Sequence, residues 1–426
     1  MDAVLLFGVF LLLLLIGIPI VAALAASSIA AYLLVGGLPA VTLTQNAIFG
    51  IDKFVLLSVP LFILTGELMN ASGISVRLFD LASALVGHLR GGLAQVNVVA
   101  NLFLGGISGS SSADAALTSK VLIPSMVARG YGAGFAGAIT AAAAMLGPII
   151  PPSIAMILYG SVANVSIGKL FIAGIVPGFM VAFALGLTVW LISVRRGYRG
   201  EHARASWREV MRCAGRAAWA LLLPVIVVVG IAFGIVTPTE AGAIAAAYAA
   251  LIGSFIYRTI RLADYPRLLL DAAVDTSIVM LIVAVAATFT FLITLLGLPQ
   301  QVAAHIAQQS TSPAMFLLAV NFALLFAGML MEATALLLTA PILVPIAVRL
   351  GIDPVHFGMI MVLNIMIGTL TPPFGQSAFI VSAIARIPVE RIFGNILLVL
   401  PALLLVLAIV AYLPGTFLWL IAVLGV

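Results

Sequence analysis

The stretch Gly147-Pro148-Ile149-Ile150-Pro151-Pro152-Ser153 lies inside a long apolar run, and 221 residues later the chain reads Gly368-Thr369-Leu370-Thr371-Pro372-Pro373. A helical N–H bonds the carbonyl four residues back, and proline has no N–H. Pro151 and Pro152 thus predict free carbonyls at Gly147 and Pro148, and Pro372 and Pro373 predict them at Gly368 and Thr369. Proline also drives the residue before it out of the α region. Each stretch reads as a membrane-depth helix broken in its interior. Buried carbonyls without partners are costly. A hard cation bound through oxygens satisfies them, as do the dipole ends of half-helices. The same break twice predicts two cation sites.

The breaks belong to a repeat. At the same 221-residue spacing Pro124 matches Pro345, Gly130 matches Gly351 and Gly137 matches Gly358. Just upstream the register slips, pairing Gly109 with Gly328 and Asn101 with Asn321. Internal repeats with Gly/Pro-interrupted apolar segments at corresponding places point to a secondary transporter. Each half also carries an irregular segment ahead of its broken span. The first reads Gly105-Gly106-Ile107-Ser108-Gly109-Ser110-Ser111-Ser112-Ala113-Asp114 and runs to Pro124; the second reads Gly328-Met329-Leu330-Met331-Glu332-Ala333-Thr334 and runs to Pro341 and Pro345. Irregular backbone at membrane depth is tolerated only inside protein or beside a water-filled cavity. Each segment is therefore expected to be a re-entrant hairpin of two short helices.

The two tips differ. Ser108, Ser110, Ser111 and Ser112 offer hydroxyls and loose N–H groups suited to a carboxylate, whereas Met329 and Met331 offer almost nothing polar. Asp114 and Glu332, ionisable inside the membrane, are functional candidates: they either balance cation charge or cap short helices. Neither tip has an arginine, so an anion would be held by neutral donors and bound cations.

Composition sets the solvent. The chain has 426 residues, 64% hydrophobic and 8% charged, with a mean hydropathy of +1.30. A soluble domain is about 25% charged, so the chain is expected to be an all-α polytopic membrane protein with roughly 11–13 embedded segments. The expected layout is a first repeat at 1–194, with a hairpin about 105–128 and a broken span about 132–162. A basic cytoplasmic connector at 195–216 follows. The second repeat is 217–426, with a hairpin about 328–348 and a broken span about 355–385. Arginines from Arg195 to Arg216 crowd one loop, and Arg258, Arg261 and Arg267 the next, as cytoplasmic loops do. Nucleic-acid binding is not needed to explain them. The segment near 71–92 carries Arg77, His88 and Arg90, while its counterpart near 298–312 has no Lys or Arg, so the repeats are expected to be inverted. Cys213 is the lone cysteine, which excludes an internal disulfide. Glu240, in Thr237-Pro238-Thr239-Glu240, reads as a helix cap.

The hairpin Gly106–Ala116, the stretch Gly147–Ser153, the turn Thr237–Gly242 and the stretch Gly368–Gly375 together resemble the large membrane subunit of the tripartite ATP-independent periplasmic (TRAP) transporters, over essentially the whole chain. The resemblance implies an elevator-type transporter of the bacterial inner membrane, in which hairpins and broken spans slide against a scaffold. It implies sodium as the coupling ion, no other cofactor, a small four-span membrane partner and a periplasmic substrate-binding protein. The partner is expected as a separate chain, because the large-subunit pattern begins at once. Carried onto matching positions, one sodium site would use Ser108, Ser110, Gly147, Ile150 and Pro152, and a second Gly328, Gly368 and Thr371. A small organic acid (a C4-dicarboxylate, a sialic acid or a similar carboxylate) would meet Ser110, Ser111, Ser112 and Ser153, with Asp114 and Glu332 at acidic positions of the family. Divalent-anion sodium symporters are the nearest rival, but the Ser-Asn-Thr motif of their hairpins is missing. An intramembrane enzyme fits poorly: His88, His202, His305 and His356 lie near span ends or loops, and no nucleophile motif with a base accompanies them.

Overall fold

A computed structural model describes residues 2–36, 38–39, 41–200, 204–298, 300–301 and 312–425. Among these residues there is no strand. This is what lipid dictates, since a helix satisfies its own backbone groups. The chain runs α1 (Asp2–Leu15), α2 (Ile20–Val35), α3 (Val41–Ile51), α4 (Ser58–Ala71, led by the 3₁₀ turn Phe54–Leu57) and α5 (Ile74–Val86). Then come the first hairpin, α6 (Gly92–Ser108) and α7 (Ser111–Ala128), and the first broken span, α8 (Ala133–Ala144) and α9 (Ile154–Ala163). Scaffold helices follow: α10 (Ile167–Arg196), α11 (Trp207–Ala232), α12 (Pro238–Leu251) and α13 (Tyr265–Leu295). The second hairpin is α14 (Pro313–Leu330) and α15 (Ala333–Arg349), the second broken span α16 (Pro354–Gly368) and α17 (Gln376–Ala385), and α18 (Val389–Tyr412) and α19 (Gly415–Leu424) close the chain.

Among the described residues seven helical segments are long and apolar enough to cross a membrane, including α10, α11, α12 with its π-helical extension to Ile256, and α13 with its 3₁₀ lead from Leu262. Between the hairpins the chain thus crosses five times: the broken span α8–α9, then α10, α11, α12 and α13. An odd number of crossings puts the hairpins on opposite faces, so the repeats are inverted. The basic loops meet on one face. The Gly91 and Gly132 N–H groups donate to the Tyr198 carbonyl (3.3 Å) and hydroxyl (3.0 Å). The Arg77 guanidinium lies 3.7 Å over the Tyr257 ring, whose hydroxyl donates to the Arg216 carbonyl at 3.1 Å. The segment near 298–312, expected on the other face, lies almost wholly outside the described residues.

The core sits where the repeats interlock. Residues Gly134–Ala144 of α8 and every residue of α16 from Val355 to Gly368 are buried. Small residues let these backbones approach closely. Helix α7 packs on α8 and also on α17 of the other repeat; α15 packs on α16 and on α9 of the first. Helices α2, α3, α4 and α12 gather instead around α13 or one another.

The structure corrects the register upstream of the tips. In the second half Gly328 crosses Gly368 so closely that a Cβ on Gly368 would lie 2.7 Å from the Gly328 Cα. In the first half the residue that meets Gly147 is Gly105, not Gly109: a Cβ on Gly105 would lie 3.1 Å from the Gly147 Cα. The asparagines shift likewise. Asn321 accepts from the Asn364 amide of the broken span at 2.7 Å, and the residue that reaches the first broken span is Asn97, donating to Thr140 at 2.7 Å. Asn101 instead donates to Asn97 at 2.8 Å. Both shifts are four residues, one helical turn, which keeps the same face and so leaves the apolar pattern almost unchanged.

Candidate functional site

The first hairpin turns at Gly109, whose φ of 60° caps α6 in the left-handed region. Ser110 then caps α7, its hydroxyl accepting from the Ala113 N–H at 3.4 Å. This tip is pressed onto the break in its own repeat. A Cβ on Gly109 would lie 2.8 Å from the Pro152 carbonyl oxygen. One on Gly147 would lie 2.7 Å from Asp114 Oδ2 and 3.1 Å from the Ser110 carbonyl oxygen. Asp114 is buried, and its Oδ2 has no hydrogen-bond partner. Ser108, Ser110, Gly147, Pro152 and Asp114 are thus brought together around an unpaired carboxylate oxygen. Ile150 belongs to the same break, with its side chain turned against Gly178 of α10.

The second set is assembled differently. Gly328 and Gly368 touch, and Thr371 lies one turn on, its N–H donating to the Gly368 carbonyl and its hydroxyl to the Ile367 carbonyl, both at 2.9 Å. Glu332 does not mirror Asp114. It accepts a hydrogen bond from the Ser111 hydroxyl, and these two residues are 221 apart, one repeat period. Repeat mates that touch must lie on the pseudo-twofold axis, so this bond ties the two tips together at the centre of the molecule.

The carbonyls freed by the prolines are mostly not bare. The Pro148 carbonyl accepts from the buried Ser153 hydroxyl at 2.5 Å. The Gly368 carbonyl accepts from the Thr371 N–H at 2.9 Å and the Thr369 carbonyl from the Ser377 N–H at 3.1 Å. Three of the four carbonyls expected to be bare therefore have a donor from the irregular segment itself. Each keeps a second lone pair. The two Pro-Pro peptide bonds are cis.

Beside the first tip opens a cavity of about 570 Å³, walled by α7 on one side and by α4 and α13 on the other. Ser108, Ser110 and Ser112 line it, the last two with hydroxyls 3.0 Å apart. Ser111 and Ser153 face elsewhere, towards Glu332 and Pro148. Three charged side chains that were not among the predicted site residues also line it: Lys120 of α7, Glu67 of α4 and Asp275 of α13. A second cavity of about 400 Å³ shares Glu67 and Asn70 and reaches Thr259 and Arg267 on the basic face. The signal for Lys120 was its spacing, since Ser112, Ala116 and Lys120 fall on one helical face.

Comparison with known proteins agrees. Residues 7–416 match the family "Tripartite ATP-independent periplasmic transporter, DctM component". The chain is 40% identical to the C4-dicarboxylate TRAP transporter large permease protein DctM of Pseudomonas aeruginosa, over 85% of each chain. It is 41% identical to the sialic acid TRAP transporter large permease protein SiaM of Vibrio cholerae, over 87% of each. The Alcanivorax borkumensis YdaH transporter shares the fold, with a TM-score of 0.61 and 17% identity over 97% of this chain and 98% of that one. The protein is a multi-span membrane protein that belongs to the DctM family, the large permease component of the TRAP transporters.

Proposed function

We propose that this chain carries a small organic acid across the bacterial inner membrane by sodium-coupled uptake, taking the substrate from a periplasmic binding protein and working with a small four-span subunit. The observation that carries the reading is the 570 Å³ cavity walled by the serine tip and the scaffold, beside the unpaired Asp114 oxygen. Serine hydroxyls and the N-terminus of α7 suit a carboxylate. Hydroxyl and carbonyl oxygens suit a hard cation, and Asp114 supplies charge balance that a buried sodium ion needs. Ser108, Ser110, Gly147, Ile150 and Pro152 would hold one ion, and Gly328, Gly368 and Thr371 another. Substrate would sit on Ser110 and Ser112, with Ser111 and Ser153 positioning the tip and the break.

The motion we infer is an elevator. Hairpins and broken spans interlock across the repeats, whereas α4 and α13 belong to the surrounding scaffold, and the cavity lies along that boundary. With the basic face cytoplasmic, the cavity opens inward. The experiment is uptake of radiolabelled organic acids into proteoliposomes holding the chain, its small subunit and the binding protein. Uptake that needs both an inward sodium gradient and the binding protein is expected. Uptake by the chain alone, indifferent to sodium, would instead identify a stand-alone carrier.

A further inference from the structure

Lys120 is the cationic residue among those lining the 570 Å³ cavity, and it forms no hydrogen bond or ion pair among the described residues. Its repeat mate is Pro341, which lines a separate cavity of about 260 Å³ beside Leu337, the mate of Ala116. The cavity-lining position is thus duplicated but its residue is not: the second cavity draws its cation from elsewhere, Lys53, whose ammonium already donates to the Ser161 carbonyl at 2.8 Å. Lys120 is exposed to this open cavity, so its ammonium is available to an anion that enters. The acids that share the cavity, Glu67 and Asp275, stand on the opposite wall, on the scaffold.

We propose that Lys120 anchors a second acidic group of the substrate, and so sets specificity for acids carrying two negative charges. The inference rests on the organic-acid reading above and adds the residue that discriminates within that class. Ser112 and Lys120 are eight residues apart on one helix, about 12 Å by the α-helical rise. A helical side chain leans towards the N-terminus, so the lysine stem returns roughly one turn, or about 5 Å. The interval left between the serine tip and the ammonium is on the order of 7 Å, a length that a short dicarboxylate fills. Both anchors are on α7, so substrate held between them travels with the hairpin. Glu67 and Asp275 stay behind on the scaffold and repel the anion where the cavity meets the basic face.

The chain has three lysines, Lys53, Lys120 and Lys169, which makes direct labelling practical. The chain with its small subunit, in sodium chloride, is treated with an amine-reactive reagent, and labelling at Lys120 is read by peptide mass spectrometry. Succinate is expected to slow it about 10-fold or more, as a charge-assisted contact implies, and butyrate to leave it unchanged. Equal labelling with both acids overturns the proposal without any variant having to fold. In proteoliposomes Lys120→Gln is expected to lose dicarboxylate uptake by about 10-fold or more, and Lys120→Arg to stay within about 3-fold. Undiminished uptake by Lys120→Gln, or wild-type uptake of monocarboxylates but not dicarboxylates, overturns this inference and leaves the sodium-coupled reading standing. Failure of the wild type to take up any acid with sodium removes both.

Discussion

The two hairpins descend from one pattern and have diverged in opposite directions. At the first tip Ser110-Ser111-Ser112 stands where the second has Met331-Glu332-Ala333, one repeat period on. The first tip borders a large cavity with hydroxyls and a lysine, and keeps its acid buried behind it at Asp114. The second has a methionine cap, a tighter crossing on its broken span, and an acid spent on Ser111 of the other tip. On the reading proposed above, the repeat offers two sites, and side-chain chemistry would assign substrate to the first. On that reading the second half would keep ion binding, and its Glu332 joins the two tips through Ser111.

The largest expected effect tests the crossings. A methyl on Gly328 would lie 2.5 Å from the Ile365 carbonyl oxygen, whereas one on Gly105 would find its nearest atom at 3.0 Å. Backbone does not yield as a side chain does, and overpacking costs about 1–3 kcal/mol or more. Gly328→Ala is therefore expected to abolish uptake and lower the melting temperature of the purified protein by several degrees. Gly105→Ala should lower both partly, and Gly394→Ala, with open space around it, neither. Equal losses at Gly105 and Gly328 would mean that the two crossings carry the same load.

Next comes the contrast between the acids. If Asp114 balances a buried sodium ion as proposed, removing its charge breaks a buried pair at a cost of about 3–5 kcal/mol, so Asp114→Asn is expected to reduce sodium-driven uptake about 100-fold or more and to raise the sodium concentration for half-maximal uptake. Glu332→Gln keeps a side-chain carbonyl to accept the Ser111 hydroxyl and should cost only a few-fold, with sodium dependence unchanged. Ser111→Ala, which leaves Glu332 without its donor, is expected to cost about 10-fold, in line with leaving a buried acceptor unsatisfied. A Glu332→Gln variant with the sodium phenotype of Asp114→Asn would show that both halves balance ion charge with their acids.

What the sequence could tell follows from these residues. The Pro-Pro breaks and the turn at Gly109-Ser110 were legible because proline and glycine act through local geometry. Glu240 was legible for the same reason: with Thr237 it forms a reciprocal cap, the Thr237 N–H donating to Glu240 at 2.7 Å. The register of α6 was not, because residues four apart share a helical face and nothing in the pattern separates Gly105 from Gly109. Nor was the fate of the freed carbonyls, which depends on where Ser153 and Ser377 come to rest once the irregular segments fold back. Lys120 was visible as a charge, but its meaning needed α4 and α13 in place across the cavity.

The smallest effect expected bears most directly on substrate. Ser112 lines the cavity, and its hydroxyl lies 3.0 Å from that of Ser110. Ser112→Ala removes one neutral donor from an anion and unties Ser110 at the same time. A neutral hydrogen bond contributes about 0.5–1.5 kcal/mol, so the substrate concentration for half-maximal uptake should rise roughly 2–10-fold. Sodium dependence should move far less than in Asp114→Asn, because Ser112 is not among the oxygens gathered around Asp114 and reaches them only through Ser110. Ala333, its repeat mate, is the first residue of α15 and lines neither the 570 Å³ nor the 260 Å³ cavity. Placing a hydroxyl there with Ala333→Ser should leave half-saturation within about 2-fold, since Ala333 is half-buried at the second tip, away from the substrate cavity, and the change adds a single oxygen. The pair of titrations, run on the same acid at the same sodium concentration, asks whether the hydroxyl or the position matters. If Ala333→Ser shifts substrate saturation as far as Ser112→Ala does, the second tip also meets the substrate, and the division of labour between the hairpins gives way to a site shared across the twofold axis.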